Sequence, residues 1–285
     1  MFFKRIEGNN MKEQCVKVPE ELDWAKFWKE KLEMKKDKNK DWNKAAAGFH
    51  KRAKQDDYHD LLFSKLIIEK TDTVLDLGCG EGSITLPIAK MAKHVTGLDS
   101  AEKMLELLNE KAEKENITNI NTLQEDLSLI SQEKLGNYDV VLASRSLNSI
   151  IPIKETLKEI NKIANKYVFI TFFGPENWKI EKDFQEYLGK NPKQFPGYNY
   201  IFNILYNMGI YPNVERLAIK AYREYDSIEE AMDNGKFRLD LLNNKEKDKL
   251  VKYLNNILEK DPETGKLFNK KDKADWILIW WKKEK

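Results

Sequence analysis

The stretch from Val74 to Ser83 constrains the fold of this chain more than any other. It begins Val-Leu-Asp-Leu, as a buried strand does, and three glycines then follow at every second position before a helical pattern starts at Ile84. A strand that ends at a glycine-rich turn and continues into a helix places backbone N–H groups and a helix N-terminus at one point. Glycine, which has no Cβ, lets a ligand approach the backbone there. The stretch therefore predicts an α/β fold with a ligand-binding turn, and a tight turn without a ligand is the alternative.

The spacing of the glycines distinguishes between ligands. A dinucleotide fingerprint reads G-x-G-x-x-G, whereas this chain has Gly78, Gly80 and Gly82, with Asp76 two residues before the first. An acid at that place repels a pyrophosphate and suits a ligand that carries an amine and a sulfonium. The pattern D-x-G-x-G-x-G resembles motif I of the class I S-adenosylmethionine (SAM) methyltransferases, and within that superfamily the type 11 and type 25 groups.

The composition sets limits on partners and location. The chain has 285 residues, and its 49 Lys and Arg against 47 Asp and Glu give a net charge of +2, so charge alone gives no reason to expect nucleic acid. Two cysteines exclude a disulfide framework and favour a reducing compartment. The longest apolar runs are too short to cross a bilayer, and no secretion signal precedes them. We therefore expect a cytoplasmic protein that does not contact membranes.

The resemblance implies the fold and its divisions. It covers residues 70–225 well and the two ends only by the order of their elements. The expected fold is a doubly wound, seven-stranded, mostly parallel sheet with helices on both faces and an antiparallel last strand. The expected divisions are a flexible tail (1–17), an N-terminal helical lid (18–70) and a methyltransferase domain (71–285). Acceptor-side insertions are expected at 175–200 and 227–272, and the second of these is expected to be helical and to lie between the last two strands.

Two further acids follow predicted strands. Asp99 ends the short apolar strand that starts at His94, and in a βαβ unit an acid at that tip can accept hydrogen bonds from ribose hydroxyls. Asp126 follows the predicted strand 120–124, where the family has an acid that accepts the adenine amino hydrogen. The alternative for Asp126 is a cap on the turn that reaches Leu129.

The resemblance also implies which residues bind the cofactor SAM, whose product is S-adenosylhomocysteine. Asp76 would hold the amine, Asp99 with Ser100 the ribose, and Asp126 with Leu127 the adenine, while Ser144 would face the sulfonium. Met104 can touch the adenine edge, although core packing is its alternative. The remaining contacts, all at the methionine end of SAM, are Gly78, Cys79, Gly80 and Gly82.

The methyl acceptor is less constrained than the cofactor. The sequence after the fourth strand, Ser144-Arg145-Ser146-Leu147, is neither the N-P-P-Y tetrad of enzymes that methylate base amines nor a Pro-Cys pair. With the near-neutral charge, these absences favour a small-molecule acceptor over nucleic acid, and RNA or protein remains the alternative. The acceptor-side candidates are Trp42, Phe49, Tyr58 and Arg145.

No residue stands out as catalytic. His50 and His59, on the N-terminal helices, can act as a general base, and Arg145 can bind a carboxylate or phosphate of the acceptor; helix packing and a salt bridge are the respective alternatives. No cluster has metal-ligand spacing, so no metal is predicted. A nucleotide-binding oxidoreductase is the rival on fold grounds, and a non-catalytic SAM-binding module is a third hypothesis. The sequence leaves the oligomeric state open.

Overall fold

The computed structural model of the protein describes residues 22–33, 57–192, 196–234, 237 and 239–284. Within them the helices, numbered in chain order, are α1 (Trp24–Glu33), α2 (Tyr58–Phe63), α3 (Thr85–Ala89), α4 (Glu102–Lys114), α5 (Gln132–Leu135), α6 (Ile153–Ile163), α7 (Lys179–Tyr187), α8 (Tyr198–Asn207), α9 (Ile228–Asn234) and α10 (Asn244–Ile257). The strands are β1 (Thr73–Leu77), β2 (His94–Asp99), β3 (Ile120–Gln124), β4 (Tyr138–Ser144), β5 (Ala164–Phe173), β6 (Asn213–Leu217), β7 (Tyr222–Tyr225), β8 (Glu259–Lys260), β9 (Leu267–Lys273) and β10 (Trp276–Lys282).

Seven strands form the main sheet in the order β3-β2-β1-β4-β5-β10-β6. The first five strands pair in parallel, and β10 runs antiparallel to both β5 and β6. This seven-stranded, mostly parallel sheet with one reversed strand confirms the predicted fold class.

Apolar side chains cover both faces of this sheet, as its strand sequences predict. Alternate residues of β1 point to opposite faces, so Leu75 and Leu77 pack with helices α1, α6 and α8, whereas Val74 packs with helices α2 and α3. A parallel strand buried on both sides has to be apolar almost throughout. That requirement explains why β1 and β4 read as nearly continuous hydrophobic runs.

The strand order places a ligand cleft between β1 and β4. From β1 the chain moves outward to β2 and β3, then returns past β1 to β4 and β5. Connections that leave two neighbouring strands in opposite directions open a crevice at their carboxyl ends, which is where ligands bind in such sheets. The turn after Leu77 and the segment after Ser144 therefore meet at one point.

Helix α1 is anchored to the domain by Trp28. The Trp28 side chain is completely buried, and its Nε1 donates a hydrogen bond to the carbonyl oxygen of Ile150 at 2.7 Å. Its ring lies edge-on to that of Phe172, with centroids 6.0 Å apart. The N-terminal helix is thus fixed to the loop that follows β4, close to the cleft.

The carboxy-terminal third differs from the prediction in two places. The sequence 214–225 alternates in the manner of a strand, which predicts one element, but it forms β6 in the main sheet and β7 in a second sheet of order β7-β9-β8. The chain turns away because the Asp57 carboxylate accepts hydrogen bonds from the backbone N–H groups of Lys220 and Ala221. The insertion 227–272 was expected to be helical, but after α9 and α10 it ends in strands β8 and β9. Strand β9 is not predicted because its sequence is largely charged. In the structure the side chains of Phe268 and Asp272 are buried.

We predict that Trp28→Ala lowers the free energy of unfolding by about 3–5 kcal/mol, because it empties a fully buried site and removes an indole hydrogen bond. Phe27→Ala is the matched control, since Phe27 is the preceding residue of the same helix and is 37% exposed. Urea unfolding of both variants tests the prediction. Equal losses for the two would show that α1 does not pack on the domain as described.

Candidate active site

The glycine turn after β1 has one open side. Gly78, Gly80 and Gly82 have φ angles of 75°, 54° and 85°, in the left-handed region that favours glycine. A Cβ on Gly80 would meet nothing within 4 Å. A Cβ on Gly78 would lie 2.3 Å from Cβ of Ser146, and one on Gly82 would lie 2.8 Å from Leu108. Gly80 is therefore the position that leaves room for a ligand, whereas the other two glycines permit close packing within the protein.

Asp99 joins this turn to the end of β2. Its Oδ2 accepts a hydrogen bond from the backbone N–H of Gly80 at 2.9 Å, and its Oδ1 accepts one from Ala101 at 2.9 Å. A carboxylate has about four acceptor positions, so two bonds leave capacity for two more donors. The side chain is half-buried. Asp99 can thus hold the turn and bind two hydroxyl groups of a ligand.

Asp76 lies beneath the turn. Its side chain is 1% exposed, and its Oδ2 accepts a hydrogen bond from the Thr85 hydroxyl at 2.7 Å. Burial raises the pKa of Asp76 to about 7; the Thr85 hydrogen bond opposes this rise and the charge of Asp99 adds to it. Burial likewise raises the pKa of the Cys79 thiol, followed by the charges of Asp76 and Asp99. Cys79 therefore stays a thiol and does not act as a nucleophile.

Four further residues of the predicted cofactor site lie in the segments that follow β2 and β3. Asp126 is exposed and its Oδ1 accepts hydrogen bonds from the N–H and hydroxyl of Ser128, so it caps the 3-10 helix Leu127–Leu129. This is the capping role that was its alternative, and it leaves the side chain accessible. Leu127 is buried below it, and Met104 is buried against Ala101. Ser100 lies between Asp99 and Ala101, the N-cap of α4.

On the other side of the cleft, Tyr58 bridges strands β4 and β5. Its hydroxyl forms hydrogen bonds of 2.6 Å with the Ser144 hydroxyl and 2.7 Å with the Thr171 hydroxyl. The Tyr58 side chain is completely buried. Helix α2 therefore closes over the carboxyl ends of the strands through a chain of three hydroxyl groups.

Arg145 follows directly and has an unusual backbone. Its φ angle of 59° is uncommon for a residue with a side chain, and its N–H donates to Oγ1 of Thr171 at 2.9 Å. Its guanidinium carbon lies 4.2 Å from the ring centroid of Tyr58 and 5.5 Å from that of Trp276. A strained conformation held by its surroundings is typical of a functional position.

Of the remaining acceptor-side and catalytic candidates, the structure describes only His59. Trp42, Phe49 and His50 lie outside the described residues. His59 lies on α2 and stacks on Phe63, with ring centroids 6.3 Å apart. Within the described ranges, no group of His, Cys, Asp and Glu is arranged to hold a metal ion. None of the described helices is long and apolar enough to span a membrane.

Three residues of the site were not predicted from the sequence. Thr171 is the hydroxyl residue inside the apolar strand β5, and that interruption was a signal. Trp276 reaches the site because β10 pairs with β5 through Phe173, which the sequence does not reveal. Glu81, inside the turn, is 3% exposed, and its Oε2 lies 2.8 Å from Nζ of Lys111, which anchors the turn to α4.

Comparison with known proteins identifies the superfamily. A family model described as "Methyltransferase domain" matches residues 68–195, the segment that holds the glycine turn and the ends of β2, β3 and β4. Residues 68–195 therefore form a SAM-dependent methyltransferase domain of class I. Two solved structures agree with this methyltransferase in fold, YcgJ of Bacillus subtilis and a protein of Bacillus halodurans C-125. Each has a TM-score of 0.52 over 80% of this chain and 99% of its own, at 13% and 15% identity.

The sequence relatives of the methyltransferase differ in extent. A protein of Haemophilus influenzae, whose name assigns no activity, is 27% identical over 84% of this chain and 88% of its own length. The (S)-tetrahydroprotoberberine N-methyltransferase of Eschscholzia californica is 30% identical over 36% of this chain and 29% of its own. The 23S rRNA (uracil(1939)-C(5))-methyltransferase RlmD of Psychromonas ingrahamii is 42% identical over 27% of this chain and 18% of its own. This chain thus spans less than a third of the relatives whose names state an activity.

The turn fits the methyl donor SAM in chemical terms. The open side at Gly80 leaves space beside the backbone, and Asp99 has acceptor capacity for the two ribose hydroxyls. The carboxylate of Asp99 gives this end of the cleft a negative potential, which favours a ligand with an ammonium and a sulfonium group. The cofactor is SAM, as the spacing predicted.

We predict that Asp99→Ala weakens SAM binding by about 1–3 kcal/mol, because charge-assisted hydrogen bonds to the ribose are lost. Asp99→Asn, which keeps one oxygen acceptor, should lose less. The control is Glu102→Ala, which removes an exposed acid from the neighbouring helix. Calorimetric titration with SAM measures all three. Unchanged affinity in Asp99→Ala would disprove the ribose assignment.

A second prediction concerns pH. The folded protein holds a proton on Asp76 up to about pH 7, whereas the unfolded chain releases it near pH 3.9. The stability that this proton contributes is complete below about pH 3.9 and is lost as the pH rises through about 7. Between these two pH values the free energy of unfolding of the wild type should fall by up to about 1.4 kcal/mol per pH unit. We expect this fall to be absent in Asp76→Asn, which has no proton to release at this position.

Urea unfolding between pH 5 and 8 tests this, with Asp126→Asn as a control because that acid is exposed. The difference between wild type and Asp76→Asn should grow steadily with pH up to about 7. Parallel curves for the two proteins would mean that Asp76 has an ordinary pKa.

Proposed function

We propose that this methyltransferase transfers the SAM methyl group to a small-molecule acceptor that binds at the carboxyl ends of β4, β5 and β10. The observation that carries the proposal is the cluster of aromatic and polar side chains packed there. Tyr58 is completely buried and bonded to Ser144 and Thr171, and Arg145 lies over its ring beside Trp276. Small-molecule sites are lined mainly by apolar and aromatic side chains with a few placed polar groups, and this cluster has that composition.

In this proposal, each residue on the cofactor side binds a different part of SAM. Asp99 binds the ribose. Asp126 binds the adenine amino group through its accessible carboxylate, and Leu127 lies beside the ring. Gly80 faces the methionine part, with the other glycines shaping the turn. Asp76 holds the SAM amine directly or through a water molecule.

SAM supplies an activated methyl group that is transferred directly to a nucleophile. The protein then has to orient the acceptor in line with that group, and such positioning can supply roughly 7–11 kcal/mol of the barrier. Ser144 ends β4 at the cleft and its hydroxyl is fixed by Tyr58, so the acceptor side is rigid. The strained backbone of Arg145, held by Thr171, contributes to the same rigidity.

An RNA acceptor is the second candidate, and one observation favours it: the identity to the ribosomal RNA methyltransferase of Psychromonas ingrahamii. That similarity spans 81 residues, and the similarity to the (S)-tetrahydroprotoberberine N-methyltransferase spans 105, so both are confined to a part of this chain. Binding to RNA depends on contacts of basic side chains with phosphates, and a net charge of +2 provides little general attraction. The net charge therefore favours a small-molecule acceptor over RNA.

A labelling experiment tests the acceptor class. The purified protein is incubated with methyl-labelled SAM and a cell extract separated into small-molecule, RNA and protein fractions. We expect label in the small-molecule fraction, and little transfer by Asp99→Ala at limiting SAM. Label confined to the RNA or the protein fraction would contradict the proposal.

A further inference from the structure

Arg145 differs from the other arginines that the structure describes. Arg216 donates to Asp275 at 2.7 Å, and Arg223 donates to Asp272 at 2.7 Å. For Arg145, no carboxylate of the described residues lies within the 4.0 Å of an ion pair. A half-buried guanidinium without a counter-charge is expensive unless a ligand supplies one.

The rings around Arg145 leave its hydrogen-bond donors available. The guanidinium lies over Tyr58 and near Trp276, at 4.2 and 5.5 Å from the ring centroids. Contact with aromatic faces occupies the flat side of a guanidinium, whereas its N–H groups point outward from the edge in a fork that matches a carboxylate. The rings therefore orient Arg145 without satisfying its donors.

Trp276 provides a second, independent observation. Its side chain is only 7% exposed, and its buried Nε1 has no hydrogen-bond partner among the described residues. Its ring stacks on Phe173 with centroids 4.5 Å apart. The contrast with the other tryptophans is clear, because three of them donate to an oxygen acceptor: Trp28 to Ile150, Trp280 to Glu215 and Trp281 to Asn161. A buried indole N–H without an acceptor is costly, and a ligand oxygen would remove that cost.

We infer that the methyl acceptor carries a carboxylate, which Arg145 and the N–H of Trp276 bind. This rests on the proposed function, because it specifies the acceptor of the same site. Both groups are donors only, so the matching ligand group is an acceptor-only anion. One guanidinium balances one negative charge, which favours a carboxylate over a phosphate dianion in aromatic surroundings. The aromatic side chains Tyr58, Phe173 and Trp276 favour an acceptor with a flat apolar body.

The test measures binding and does not depend on methyl transfer. Wild-type protein saturated with S-adenosylhomocysteine is titrated with benzoate and phenylacetate, with the matched amides benzamide and phenylacetamide, and with inorganic phosphate. The amides keep the shape of the acids and remove the charge. We expect the acids to bind at least about tenfold more tightly than their amides and than phosphate, because a charge-assisted bidentate pair is lost in the amides.

Variants then locate the interaction. Arg145→Gln should lose the preference for acids over amides, and Arg145→Lys, which keeps the charge without the fork, should retain part of it. Trp276→Phe keeps the ring and removes the N–H, and should weaken the acids several-fold with no effect on the amides. Lys90→Gln is the control for general charge, since Lys90 is exposed and paired with Glu115. Retained binding of S-adenosylhomocysteine shows that each variant is folded.

Equal binding of acids and amides, stronger binding of phosphate, absence of binding by every acid, or an acid preference that survives in Arg145→Gln would each overturn the inference. Failure of the proposed function gives a different pattern. If acids bind through Arg145 but label from SAM enters only RNA or protein, the carboxylate site stands and the small-molecule acceptor does not.

Discussion

The position of the glycine turn depends on the hydrogen bonds that the carboxylate of Asp99 accepts. It accepts N–H hydrogen bonds from Gly80 in the turn after β1 and from Ala101 at the start of α4, so it joins two adjacent loops at the carboxyl edge of the sheet. The turn can reach Asp99 because three glycines adopt positive φ angles, two of them against side chains that leave no room for a Cβ. Beneath it, burial keeps Asp76 protonated up to about pH 7. Two neighbouring acids therefore have different roles, because one is sealed from water and the other is not.

The acceptor side depends in the same way on Thr171. Its hydroxyl contacts Tyr58 on helix α2 and the backbone N–H of Arg145 after β4, which brings three distant segments to one point. The strain in Arg145 is stabilised by that contact, and its guanidinium is oriented by the rings of Tyr58 and Trp276. The cleft thus has two chemically different halves. One presents carboxylates to the positively charged cofactor, and the other presents N–H donors, which suit an acceptor of opposite charge.

The proximity of the glycine turn, Asp76 and Asp99 could be predicted from the sequence because these residues are local. The glycine spacing, the acid before it and the acid at the end of the next strand lie within about one βαβ unit, and the strand pattern orders that unit. The acceptor half could not be predicted to the same extent. Trp276 lies about 130 residues after Arg145, and only the pairing of β10 with β5 brings the two together. The second sheet was missed for a related reason, since β9 is charged on its exposed side and its partners β7 and β8 are short.

The most direct test of the central claim is calorimetric titration of the intact protein with SAM, S-adenosylhomocysteine and NAD in parallel. The structure predicts that both adenosyl ligands bind and that NAD does not, because the carboxylate of Asp99 favours a positively charged methionine end and disfavours a pyrophosphate at the same turn. Binding of NAD alone would contradict this account.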